Sequence, residues 1–146
     1  MAKFFSIFFI IAQLSLGSLF VYAGVRKFIP SPARKSSSTE LVSGSTKEQM
    51  IKFIGGLKAN SYFWPFLGIV EIVAGLLLVS QFFAVGGAIL LTPITLNIFL
   101  FHLFLKPEDV TGGIMSGIYL LASILIILRK YKTIKNLIYT NKPFQL

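Results

Sequence analysis

Four long runs without a charged side chain constrain the fold of this chain. They cover residues 4–25, 59–70, 72–105 and 110–128. A hydrocarbon core about 30 Å thick needs roughly 20 apolar residues in a helix, so the first run makes one membrane span. The second and third runs are separated by Glu71 alone, and as one helix they would be about 70 Å long. That stretch must therefore fold back once and cross the membrane twice.

We place the fold-back turn either at Ser80-Gln81 or at Gly86-Gly87, where polar or flexible residues interrupt the aliphatic sequence. Four spans result, at about 4–26, 62–81, 84–105 and 112–129. The predicted fold class is all-α, an integral membrane four-helix bundle with an interfacial amphipathic helix between the first and second spans. We expect a single transmembrane domain over residues 1–146, because one domain is the norm at this length.

The segment between the first two spans is a loop and interfacial helix over residues 30–58. Its first part is rich in Ser and Pro, which predicts a flexible loop. A capping-box pattern at residues 46–49 (TKEQ) indicates a helix start. Apolar residues then alternate with lysines near helical spacing, as is typical of a helix lying on the membrane surface. The aromatic residues 62–64 (YFW) mark the headgroup boundary before the second span.

The net charge of +9 comes from 14 Lys and Arg residues against five Asp and Glu. These basic residues lie in the segments that flank the apolar runs, where they would contact anionic lipid headgroups and not nucleic acid. We therefore expect membrane lipids and other membrane proteins as partners, and no nucleic acid. The basic tail over residues 130–146 belongs to the side with six basic residues, against eight on the other side. Charge alone thus leaves the orientation open.

Composition excludes several chemistries. The absence of cysteine excludes disulfides, thiol redox catalysis, thiolate metal sites and iron–sulfur clusters. The single histidine excludes a bis-histidine haem. No serine has a second histidine or an acid available as its base, so no nucleophile-and-base pair is recognisable. We assign no catalytic residue, no metal and no intrinsic cofactor, and we favour a protein that is not an independent enzyme.

Glu71 is the one acid inside a predicted span, where a charge costs about 2.5 kcal/mol or more. Such a residue usually faces the bundle interior with a partner, and Arg26 or Lys27 at the end of the first span is the natural one. Counted from the span ends, Glu71 lies about 13 Å below one surface. Asn97 and His102 lie about 12 Å and 5 Å below the same surface. The polar residues thus cluster in one leaflet.

The candidate polar pocket draws on all four spans, with Tyr22, Arg26, Lys27, Glu71, Asn97, His102 and Tyr119. Two interpretations stay open: a structural ion pair that fixes the helix register, or a site for a ligand or a proton. Asn97 and His102 differ by about 140° around an ideal helix. Together they would line a broad pocket and not a narrow seam, or His102 would lie at the interface and bond to water.

Three segments, in this order, resemble the DoxX and DoxX-like family of small four-span bacterial membrane proteins. They are residues 19–28 (LFVYAGVRKF), 68–75 (GIVEIVAG) and 93–102 (PITLNIFLFH). The resemblance covers about residues 10–128 and leaves out the loop and the basic tail. The conspicuous family positions correspond to Tyr22, Lys27, Glu71, Asn97 and His102.

The resemblance implies a multi-pass protein of the bacterial inner (cytoplasmic) membrane with both termini cytoplasmic. Relatives are associated with membrane redox systems, including a thiosulfate:quinone oxidoreductase subunit and partners of detoxifying enzymes. We therefore expect an accessory subunit of a membrane redox complex, with a polar pocket for a quinone or a lipid headgroup. Because the chain lacks cysteine, sulfur chemistry would need a partner or a bound cofactor. The alternatives are a structural or assembly partner of another membrane protein, and a small carrier.

Overall fold

A computed structural model of the chain describes residues 2–29, 43–131 and 135. Five helices make up this part: α1 Ala2–Arg26, α2 Thr46–Ala59, α3 Phe63–Val79, α4 Ala84–Leu105 and α5 Val110–Arg129. No strand occurs within the described ranges, and the all-α prediction is confirmed. The predicted flexible loop covers residues 30–44, of which residues 30–42 lie outside the described residues, as does most of the basic tail.

Three helices, α1, α4 and α5, are each long and apolar enough to cross a membrane. Helix α3 has 17 residues and is about 25 Å long, a mismatch that a bilayer can accommodate. Helices α2 and α3 pass the same test only as a pair, and they are bent by 86° at the break between them. The described part therefore holds three candidate spans, or four with the bent pair, as a multi-pass membrane protein requires.

The fold-back turn between α3 and α4 lies at Ser80-Gln81. The Ser80 backbone N–H donates to the Leu76 carbonyl over 2.9 Å and ends α3, and Gln81 has a φ of 60°. The alternative at Gly86-Gly87 is wrong, since both residues belong to α4. Gly87 serves packing instead, because a Cβ there would lie 2.5 Å from the Ala74 carbonyl oxygen of α3.

Paired glycines hold α1 and α3 together as antiparallel neighbours. A Cβ on Gly17 would lie 2.8 Å from the Gly75 carbonyl oxygen, and a Cβ on Gly75 would lie 2.6 Å from the Gly17 carbonyl oxygen. Two turns along, Gly24 faces Gly68 with a corresponding distance of 2.6 Å. Helices in lipid associate through such close backbone contact, because apolar side chains gain little by leaving acyl chains.

Helix α2 begins one residue earlier in the capping pattern than the sequence analysis predicts. Ser45, not Thr46, is the N-cap, and its hydroxyl accepts from the Glu48 backbone N–H over 3.2 Å. The Glu48 carboxylate in turn accepts from the Gly44 N–H over 2.6 Å. Both Ser45 and Thr46 have a side-chain acceptor three residues later, Glu48 and Gln49 respectively. The pair with the charged Glu48 makes the stronger hydrogen bond and forms the cap.

Buried apolar side chains concentrate toward the α3–α4 turn and the middle of the bundle. They are Leu16, Phe20, Ala74, Leu78, Ala84, Ala88, Leu91 and Ile126. At the turn end, Arg129 donates to the Ser6 hydroxyl over 3.1 Å, so the start of α1 and the end of α5 lie on one side. The opposite half of the bundle, toward α2, is less tightly filled and contains a cavity.

Candidate functional site

An ion pair between α1 and α3 lies at the centre of this half of the bundle. The Lys27 ammonium is 2.5 Å from Glu71 Oε2, and the two side chains are 13% and 2% exposed. Lys27 follows the last residue of α1, and its stem passes over Gly68, where a Cβ would lie 3.2 Å from the Lys27 Cβ. Because Gly68 has no side chain, the Lys27 side chain can pass over it and reach Glu71.

The cavity next to this pair has a volume of about 530 Å³. Four polar side chains line it: Lys27, Glu71, Asn97 and His102. The rest of the lining is apolar or aromatic and comes from α2, α3 and α4. Glu71 is eight residues from the start of α3, so the polar end of the cavity, at Glu71, lies about 12 Å along that helix. A small number of polar groups in a mostly apolar pocket is the usual composition of a small-molecule site.

Helix α2 forms the roof of the cavity. Its contribution is the apolar face made by Phe53, Ile54 and Leu57. Phe53 packs against Phe101 of α4 with ring centroids 5.9 Å apart. Because α2 is bent by 86° from α3, its apolar face closes one end of the cavity.

Asn97 lies in the wall of the cavity. It is exposed and makes no hydrogen bond to any described residue, although α4 places it eight residues, or about 12 Å, from the helix end. Pro93, one turn away, also lines the cavity and is exposed. The cavity therefore opens sideways at these two residues. An amide at this depth costs free energy unless a polar group bonds to it.

His102 connects the cavity wall to the α4–α5 turn. Its Nδ1 lies 2.9 Å from the Ile98 carbonyl oxygen, which can only accept, so Nδ1 carries a hydrogen. Its Nε2 lies 3.7 Å from Asp109 Oδ2. Gly112 leaves room for the ring, because a Cβ there would lie 2.5 Å from Nε2.

Asp109 organises the turn that follows His102. Its Oδ1 caps α5 by accepting from the Gly112 N–H over 2.9 Å, and its Oδ2 accepts from Lys106 over 2.6 Å. The Lys106 ammonium and the Gly112 N–H hold the pKa of the Asp109 carboxyl below its usual range. The turn therefore carries a stable negative charge beside the edge of the cavity.

Trp64 lies between two lysines near the break between α2 and α3. The ammonium groups of Lys27 and Lys58 lie 5.3 Å and 5.0 Å from the centroid of its ring. Both distances suit a cation–π contact. Trp64 is expected at the headgroup boundary from its place in the sequence, and its side chain also lines the cavity.

Three of the predicted pocket residues lie elsewhere. Tyr22 and Arg26 point outward from α1, where the Arg26 guanidinium donates to the Tyr22 hydroxyl over 3.2 Å. Tyr119 packs in the core, edge-on to Phe20 with ring centroids 6.3 Å apart. The face of α1 that carries Gly17 and Gly24, the glycine face, packs against α3. Relative to Gly24, Lys27 is about 60° around the helix and turns toward α3, whereas Arg26 is about 160° away and turns outward.

The α2 residues that line the cavity, and the apolar and aromatic α3 residues beside Glu71, were not predicted from the sequence. Phe53, Ile54 and Leu57 share one face of α2 by their spacing, but the sequence does not say which helices that face meets. Asn97 and His102 do both line one cavity, the broader of the two arrangements considered. Among the described residues, no group of three or more His, Cys, Asp or Glu side chains could hold a metal ion.

A sequence model of one protein family, described as DoxX, matches residues 8–104 of this chain. The match includes the three segments that carry Lys27, Glu71 and Asn97. The chain belongs to the DoxX family. No curated protein and no solved structure matches this DoxX chain. The match ends before α5, so the cavity residues lie inside the family region and the Asp109 turn lies outside it.

Proposed function

We propose that this DoxX protein is an accessory subunit of a redox complex in the bacterial inner membrane, with both termini in the cytoplasm, and holds the head of a quinone in the cavity under α2. The observation that carries the proposal is Asn97, whose amide bonds to no described residue and lines the same mostly apolar cavity as the Lys27–Glu71 pair. The Asn97 side chain is exposed and no described residue bonds to its amide, so at this depth in a membrane a bound polar group is the natural partner.

The chemistry of the lining suits a quinone better than a charged headgroup. Lys27 and Glu71 neutralise each other, so a neutral head would enter without leaving an unpaired charge. An ammonium has three N–H donors and an amide has two. Lys27 and Asn97 could therefore each donate to one quinone carbonyl, while the aromatic ring of Trp64 would flank the head.

The open side of the cavity suits an isoprenoid tail. Pro93 and Asn97 are exposed at the level of the acyl chains, and α2 closes one end of the cavity. A quinone could thus enter from the bilayer and leave its tail among the lipids. The redox setting comes from the association of DoxX relatives with membrane redox systems, and electron transfer is assigned to a partner protein.

The test is the quinone content of protein purified in mild detergent from bacterial membranes. Asn97→Leu keeps the side-chain size and removes the donor, and we expect about tenfold less bound quinone by extraction and chromatography. Ser123→Ala, a buried hydroxyl change in the opposite half of the bundle, should retain the wild-type content. Equal quinone in both variants, or phospholipid alone in the wild-type cavity, would refute the proposal.

A further inference from the structure

A second polar feature lies outside the cavity, on the outer surface of α1. Ser18, Tyr22 and Arg26 follow each other at intervals of four residues and are all exposed. They run about 12 Å along the helix, from the headgroup level inward. The Tyr22 ring is 63% exposed, and the Arg26 guanidinium lies 5.8 Å from its centroid as well as bonding to its hydroxyl.

A groove between α1 and α3 continues from these residues toward the middle of the membrane. Its volume is about 480 Å³, and it is lined by Ser18, Val21, Tyr22, Val25, Leu76 and Val79. Four of the six residues are aliphatic. The groove is thus mostly apolar. The hydroxyl of Tyr22, which lines it, accepts from the Arg26 guanidinium beside the groove.

We propose that this groove binds one anionic phospholipid, with the phosphate on Arg26 and Tyr22 and one acyl chain along the groove. A guanidinium binds a phosphate through paired N–H donors, and the Tyr22 hydroxyl can donate to a second oxygen. No carboxylate among the described residues lies within salt-bridge distance of Arg26, so a headgroup with net negative charge is favoured over a zwitterionic one.

The part of the groove farther from Arg26 would hold the acyl chain. Ser18 is exposed two turns below Arg26, and its small side chain keeps the groove open at that level. The close backbone contact of Gly17 with Gly75 sets the depth of the groove by holding α1 against α3. A lipid here would cover the outer surface of the glycine-paired helices without entering the cavity under α2.

The experiment is native mass spectrometry of the full chain in detergent, titrated with phosphatidylglycerol and, separately, with phosphatidylcholine of the same acyl chains. Wild-type protein should retain one tight phosphatidylglycerol and bind phosphatidylcholine more weakly. Arg26→Gln should lower phosphatidylglycerol affinity about fivefold. Ser18→Phe, which fills the groove from an exposed position, should lower the affinity for both lipids.

Lys130→Gln removes the same charge at the other end of the bundle and should leave that tight site unchanged. Circular dichroism checks that each variant folds. Wild-type phosphatidylglycerol retention by both Arg26→Gln and Ser18→Phe would overturn the proposal, and so would a second polypeptide crosslinked along the groove. Because Arg26 lies outside the cavity, Arg26→Gln should keep its quinone content, which separates this test from that of the proposed function.

Discussion

Lys27 and Glu71 form an ion pair that joins the end of α1 to the middle of α3 inside the membrane. The two side chains are 13% and 2% exposed, so either charge alone would be left without water or a partner. The pair therefore fixes the register of these two helices and also provides the polar end of the cavity.

Removing one partner of this pair should destabilise the bundle more than removing both. We expect Glu71→Leu and Lys27→Met each to lower the free energy of unfolding by about 3–5 kcal/mol, because each leaves an uncompensated buried charge. The double variant should recover a large part of that loss. Thermal unfolding in detergent micelles, followed by circular dichroism, measures all three. A double variant less stable than either single one would contradict the structural role of the pair.

The choice of lysine over arginine shows what the sequence could and could not predict. Both residues stand at the end of the first span, and counting depth alone leaves Arg26 and Lys27 equivalent. The glycine face of α1 distinguishes them, because the residue about 60° from Gly24 turns toward α3 and the residue about 160° away turns to lipid. The lengths of the helices were predictable from the charge-free runs. Local polarity and flexibility limited the fold-back turn to two positions, and the structure has it at Ser80-Gln81. The roof of the cavity was not, since it depends on where α2 folds.

Glycine contacts between α1 and α3 should tolerate no side chain. Gly75→Ala would place a Cβ 2.6 Å from the Gly17 carbonyl oxygen and 2.9 Å from the Val21 backbone nitrogen. We expect a loss of about 1–3 kcal/mol as the helices move apart. Gly86→Ala is the control, because a Cβ there meets nothing within 4 Å. It should be neutral or stabilising by up to about 1 kcal/mol in unfolding experiments. Equal stability of the two variants would refute the close approach.

Replacement of Ser45 should weaken the N-cap of α2, and replacement of Thr46 should not. Ser45→Ala deletes the acceptor of the Glu48 N–H and should cost about 1 kcal/mol of local helix stability. Hydrogen exchange of the first α2 amides, measured by mass spectrometry in nanodiscs, should therefore be faster in this variant. Thr46→Ala should leave exchange near the wild-type rate. Faster exchange in Thr46→Ala than in Ser45→Ala would show that Thr46 is the N-cap.

Acid should weaken the α4–α5 turn through Asp109. Its pKa is held below its usual range by Lys106 and the Gly112 N–H, so the folded state binds fewer protons than the unfolded state. The resulting stabilisation is present above the usual pKa of about 3.9 and is lost as the pH falls toward the lowered value. The melting temperature should therefore fall more between about pH 6 and pH 3 in the wild type than in Asp109→Asn. Asparagine keeps the cap, and an identical fall in both proteins would exclude this role of Asp109.

Trp64 can report directly whether the cavity under α2 binds the head of a quinone. Trp64 is the one tryptophan of the chain and lines the cavity. The measurement is a titration of nanodisc-embedded protein with a short-tailed quinone, followed by quenching of Trp64 fluorescence. We expect saturable quenching in the wild type, with a Kd raised about tenfold by Asn97→Leu and unchanged by Ser123→Ala. Linear, unsaturable quenching of the same size in all three proteins would contradict this expectation.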